Sequence, residues 1–165
     1  MEFVEHLRYP VGVEALLRLL TDEKRLGEKF EALGHRGFQV LESRHEGPEI
    51  VLRSTREVPA DVPSFAKKFL SPMNTVIQVD RWSEPEDDIR RGTWAVEIKG
   101  TPIHMHGTTT LEPSGAGCVQ TVQGQIEVKI PFIGGQIARF VAGDTGKNIA
   151  LEHEANLRLL REMGS

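Results

Sequence analysis

Hydrophobic positions along the chain change their period three times. Residues 2–9 alternate, with Phe3, Glu5, Leu7 and Tyr9 on one side and Val4, His6 and Arg8 on the other, as in a strand ended by Pro10. Leu16, Leu17 and Leu20 then fall at helical spacing and predict a short helix over residues 12–20. Thr21 and Asp22 stand where they can cap a second short helix, EKRLGEKFEAL, which Gly34 closes. From residue 36 the period becomes two, predicting strands over 36–45, 49–58, 74–83, 92–100, 103–112 and 118–130. Turn signals at Glu46-Gly47-Pro48, Glu84 to Asp88, Gly100-Thr101-Pro102 and Pro113-Ser114-Gly115 separate most of them. Connections this short favour antiparallel neighbours, because parallel pairs need a crossover. In the longer segment between the second and third of these strands, Ser64 stands where it can cap one helical turn, FAKKFL. Residues 133–163 return to the helical period.

The last strand shows its faces most clearly: Val122, Gly124, Ile126, Val128 and Ile130 oppose Gln123, Gln125, Glu127 and Lys129. Trp94, Val96 and Ile98 oppose Thr93, Glu97 and Lys99 in the same manner. One sheet face is therefore expected in the core and the other in water. At ~1.5 Å per residue the C-terminal helix reaches about 45 Å, whereas a nine-residue strand covers only about 30 Å. A bent sheet gripping the helix across its concave face resolves the mismatch, with bulges or glycines doing the bending. The expectation is an α+β chain: about seven antiparallel strands, two short helices after the first, and a long helix in the sheet's grip.

This order of elements resembles the helix-grip fold of the START-like superfamily, also called polyketide-cyclase-like, birch-pollen-allergen-like or SRPBCC. The resemblance covers essentially the whole chain, residues 1–165, read as one domain. It rests on the opening Arg8-Tyr9-Pro10 followed by VEALLRLLTD, and on the join Val128-Lys129-Ile130-Pro131-Phe132-Ile133-Gly134-Gly135 into the last helix. That join is similar to one in an uncharacterised bacterial branch of the superfamily. The resemblance implies a cavity between sheet and helix that takes an apolar small molecule such as a lipid, isoprenoid or polyketide. A minority of the superfamily catalyse cyclisation or dehydration in that space, and others bind proteins. One fold hosts many roles, so function has to come from the site.

Composition narrows the classes. Twenty basic residues against 24 acidic ones leave a net charge of −4. That balance argues against nucleic acid and against docking on anionic headgroups. Cys118 is the only cysteine, which excludes an internal disulfide and a cysteine-rich zinc site. No signal peptide is read at the N-terminus and no apolar run approaches the ~20 residues of a bilayer span, so a cytoplasmic location is expected.

The candidate ligand-binding residues come from the inward faces. On the strands these are Trp94, Val96, Ile98, Met105, Val122 and Ile126. On the last helix, a wheel at about 100° per residue puts Phe140, Val141 and Leu151 on the core stripe. Asp144 and Asn148 fall in the middle of that stripe, one turn apart. Either they orient the polar end of a ligand or they bond to sheet or water at a cavity mouth. Gly143 and Gly146 make room for a ligand, permit a bend, or break the helix. Charges also alternate with inward apolar positions: Arg44, Arg56, Arg81 and Glu5. A rim position suits such long side chains, and an Arg there matches a ligand carboxylate. We include Arg56 and Arg81 among the candidates.

His104 and His106 share a strand face, but it is the face assigned to water, and no third ligand is visible, so no metal is expected. No nucleophile motif and no phosphate loop appear, and no cofactor is expected. Three functions follow: a carrier or sensor of an apolar ligand; an enzyme using Asp144 as its acid–base group; and a protein-binding module with a filled cavity, presenting Phe65, Phe69 and Leu70.

Overall fold

The computed structural model describes residues 1–164. Seven strands form one antiparallel sheet in the order β1-β7-β6-β5-β4-β3-β2. They are β1 (Glu2–Tyr9), β2 (Arg36–Glu46), β3 (Glu49–Pro59), β4 (Met73–Trp82), β5 (Arg90–Ile98), β6 (Ile103–Ser114) and β7 (Gly117–Val128). Helices α1 (Val13–Thr21) and α2 (Glu23–Ala32) carry the chain from one sheet edge, β1, to the other, β2. The long helix α3 runs over Gly134–Met163. Asp22 caps α2 as its position predicts, its carboxylate accepting from the Arg25 amide at 3.1 Å. The turn expected to be capped by Ser64 is a 3-10 turn that includes it, Ser64–Ala66, and Pro63 stands at its N-cap.

Glycine sets the bend of the sheet. Gly107 of β6 pairs with Gly124 of β7. A Cβ on Gly107 would lie 1.8 Å from the Gln123 carbonyl oxygen, so the two backbones approach as only glycine permits. Over Gly124 the space is taken by the rings of Phe3 and Trp94, whose centroids are 6.0 Å apart. Register shifts between Arg36 and Gln39 and between Val40 and Glu42 add curvature at the other edge.

Two of the three core clusters among the described residues tie the sheet to α3. One joins Leu70, Val76, Ile98, Ile103, Met105 and Ile126 to Ile137 and Val141 of α3. The other joins Tyr9, Leu16, Leu19, Trp82 and Leu111 to Leu159 near the far end of α3. The antiparallel order puts the β3–β4 and β5–β6 connections and the β7–α3 join at one end of the molecule. There the Lys129 amide donates to the Pro102 carbonyl at 3.2 Å. The β2–β3, β4–β5 and β6–β7 hairpins lie at the opposite end.

The helix differs from expectation at its glycines. It is continuous through Gly143 and Gly146. Gly143 faces open space, and Gly146 faces the Glu5 carboxylate, so neither makes room for a ligand.

Candidate functional site

A cavity of about 250 Å³ lies between the concave sheet face, α2 and α3. Its wall includes Trp94, Val96, Ile98, Met105 and Val122 from the sheet and Phe140, Val141, Asp144 and Asn148 from α3. Arg56 lies on it as well. Three predicted residues do not. Ile126 is 3% exposed and packed in the core beside the cavity. Leu151 is 38% exposed on the outside of α3. Arg81 is exposed on the convex face of the sheet.

The last two corrections have one physical cause: the cavity wall is polar where the core stripe was expected to be apolar. Even-numbered residues of β4, namely Asn74, Val76, Gln78, Asp80 and Trp82, face the cavity. Ile77, Val79 and Arg81 point outward, so reading β4 by its apolar residues reverses its faces. On α3 the inward stripe passes through Glu152 and Asn156, and weighting it by hydrophobicity pulls it towards Leu151.

Besides Arg56, the site gathers charges outside the residues expected from the sequence. Lys29 of α2 is 4% exposed, and its Nζ donates to Glu152 Oε1 at 3.2 Å. Arg56 is 8% exposed; its Nε donates to His35 Nδ1 at 3.1 Å and its Nη1 to Gln78 Oε1 at 3.0 Å. Gln78 Nε2 in turn donates to both Asp80 oxygens, at 3.1 and 3.2 Å. The Phe30 ring backs the cations, with Arg56 Cζ 4.1 Å and Lys29 Nζ 4.6 Å from its centroid. Arg56 is therefore not at a rim, and among the described residues no carboxylate lies within ion-pair distance of it. Two carboxylates and two cations are thus gathered where charge is costly unless paired. Glu152 and Asp80 are half-buried, and both line the cavity.

Their protonation follows from this setting. Burial pushes Asp80 up to about 6, against the Gln78 hydrogen bonds and the attraction of Arg56 and Lys29. Burial also acts to raise Glu152, but the charges of Lys29 and Arg56 outweigh it and hold the carboxyl below its ordinary range. Burial, then the Arg56 charge, pushes His35 down to about 4, so it is neutral and accepts from Arg56.

A second polar group lies one turn along α3. Asn148 Nδ2 donates to Asp144 Oδ2 at 3.3 Å. Burial raises the Asp144 carboxyl, against Lys147 and that hydrogen bond. Beside it, Thr145 Oγ1 donates to Met105 Sδ at 3.3 Å. Asn156 donates to the Tyr9 hydroxyl at 3.1 Å, and burial pushes that phenol up to about 12. The site is thus an apolar hollow with a polar stripe along α3 and a charged pole where α2, β3 and β4 meet. Glu152 repeats the spacing of Asp144 and Asn148, four residues on, and that spacing was the one signal for it in the sequence.

His104 and His106 are exposed on the convex face, where His106 meets Glu127 at 3.2 Å. Among the described residues no cluster of His, Cys, Asp and Glu could hold a metal. No helix of residues 1–164 is long and apolar enough to cross a membrane.

Known structures share this fold at low identity. A protein of Thermus thermophilus, TTHA0849, superposes with a TM-score of 0.72 at 17% identity, covering 100% of both chains. Human STARD10 superposes with a TM-score of 0.62 at 13% identity, covering 95% of this chain and 63% of that one. The fold is the helix-grip fold, as the order of elements implied. In sequence, the chain is 29% identical over 80 residues to the uncharacterised protein Rv0481c of Mycobacterium tuberculosis, a match covering 47% of this chain and 46% of that protein. Residues 5–160 match the family model described as protein of unknown function (DUF2505), and the chain belongs to that family.

Proposed function

We propose that residues 1–165 act as one ligand-binding unit that holds a small, largely apolar molecule between sheet and helix, with its polar end at the charged pole. The observation that carries this reading is the placement of Arg56 and Asp80. Arg56 is buried and Asp80 half-buried, both border the cavity, and among the described residues neither has an oppositely charged partner within ion-pair distance. Such groups stay buried at a cost that a ligand's polar atoms offset. The guanidinium offers donors beyond the two bonds it makes, and Asp80 offers acceptors. A volume of about 250 Å³ lies just below the usual range of about 300–1,000 Å³ for ligand pockets. It suits a one- or two-ring molecule or a short chain better than a whole membrane lipid. An open cavity also counts against a protein-binding module filled by its own side chains.

Native mass spectrometry of freshly purified protein tests the reading. An adduct lost on denaturation is expected, along with displacement of the dye 1-anilinonaphthalene-8-sulfonate by the extracted molecule. Absence of both an adduct and dye binding, with Arg56→Met changing neither, would falsify it.

One observation favours a second reading, in which the same cavity performs acid–base chemistry. Burial pushes Asp80 up to about 6, and Gln78 links it to the Arg56 guanidinium, a setting that suits a general acid or base. Asp80 differs from Asp144, the acid–base group expected from the sequence, in lying at the charged pole with Arg56 and Lys29. Turnover of a bound ligand that Asp80→Asn abolishes without loss of binding distinguishes this reading from simple carriage.

A further inference from the structure

We propose that the end of the molecule formed by the β3–β4 loop and the β7–α3 join docks on an anionic lipid bilayer. Phe132, in the join, is fully solvent-exposed at 105% and holds a positive φ of 69°. A bulky side chain in the left-handed region is strained, and such strain marks functional segments. Nothing in the fold gains from the ring, since it touches nothing. Phe65, in the β3–β4 loop, is 43% exposed. Ile130 and Ile133, flanking Phe132, and Ala66, next to Phe65, enter one core cluster, so both rings project from the same end.

Charge surrounds these rings. The connections here and the first turns of α3 carry Lys67, Lys68, Lys99, Lys129 and Arg139 against Asp61, with Glu57, Glu97 and Glu127 on the adjoining strand ends, in a chain of net −4. All five cations are exposed, and among the described residues none is in an ion pair. At the opposite end the hairpin tips carry Glu46, Glu49, Glu84, Glu86, Asp87 and Asp88. Composition argued against anionic headgroups because it averages two ends that the antiparallel topology separates. An anionic surface would attract one end, repel the other and so orient the molecule.

Isolated aromatic rings set among lysines match the headgroup boundary, where rings enter the acyl layer and amines stay with phosphate. A protein partner would call for a broader apolar patch. Ala60 and Leu70 of the same loop border the cavity, so docking would bring the cavity's end to the bilayer. That consequence rests on the ligand-binding reading; the docking itself does not.

Flotation with vesicles tests it, using phosphatidylcholine alone and with about 30% phosphatidylserine. Binding only to the anionic vesicles, lost in about 0.5 M salt, is expected. Phe132→Gly should lower the bound fraction about tenfold while holding or raising Tm, because glycine accepts the φ that Phe strains to adopt. Lys67→Glu with Lys68→Glu should lower it by a similar factor. Both variants should still bind 1-anilinonaphthalene-8-sulfonate, which separates a failure of docking from a failure of the ligand reading. Equal binding to neutral vesicles, no binding at all, or undiminished binding by Phe132→Gly overturns the proposal. Self-association in light scattering that Phe132→Gly abolishes also overturns it, and assigns the ring to a second copy.

Discussion

Asp80 is half-buried on the cavity wall with a proton affinity above its unfolded value, so it weakens the fold as pH rises. Below its unfolded pKa of 3.8 both states hold the proton; between there and about 6 the unfolded chain releases it first, and stability falls. Above about 6 the loss is complete, on the order of 2–3 kcal/mol at about 1.4 kcal/mol per pH unit. Asp80→Asn should therefore raise the urea midpoint at pH 8 and leave it unchanged at pH 4. His35 acts in the opposite sense. Its folded pKa is depressed to about 4, so stability is lost as pH falls from its unfolded 6.5 towards 4. His35→Gln should flatten that acid limb, and an unchanged limb would show that His35 is not buried as a neutral ring. The Lys29–Glu152 pair gives a third outcome. Lys29→Met strands a buried carboxylate and should cost about 3–5 kcal/mol in denaturant unfolding, most of it recovered by adding Glu152→Leu. None of these partnerships was legible beforehand, because Lys29 and Glu152 lie 123 positions apart and each alone reads as a solvated surface charge.

At the scale of elements, the two kinds of glycine make opposite predictions. Gly143→Ala puts a methyl into open space on an exposed helix face and should stabilise by about 0.5–1 kcal/mol in thermal unfolding. Gly107→Ala drives a Cβ into the Gln123 carbonyl and should unfold the protein or greatly lower its soluble yield. A well-folded Gly107→Ala variant would refute the account of the sheet's bend. A further tie anchors α1 to the hairpin end: the buried Arg90 guanidinium donates to both Glu14 oxygens, at 3.0 and 2.8 Å, and to the carbonyls of Pro48 and Ser83. Strand and helix limits were legible to within about two residues because turn residues and the change of period mark them locally. The faces of β5, β6 and β7 were legible too, since one side is apolar. Those of β4 were not, since its cavity side carries Asn74, Gln78 and Asp80 and its outer side Ile77 and Val79.

For the molecule as a whole, the cavity is the feature that stability alone would not retain. Filling it should therefore separate stability from binding. Val122→Phe projects a ring into the hollow and should hold or raise Tm while removing both the native adduct and dye binding. Loss of folding with Val122→Phe would mean the wall is already packed. The hollow expected from the sequence was apolar apart from Asp144 and Asn148, with arginines at its rim; the one found has a charged pole, because α2 brings Lys29 against a sheet wall that carries Arg56 and Asp80.

By itself the sequence determined the element order, the antiparallel pairing and the need for a curved sheet. Those follow from local periodicity, turn chemistry and the mismatch between a 30-residue helix and strands of 8–12 residues. Tertiary structure alone decided which charges meet, which face of β4 turns inward and how acidic and basic loops sort to opposite ends. Those outcomes depend on contacts between residues far apart in the chain, where burial changes what a charged side chain costs and what it can do.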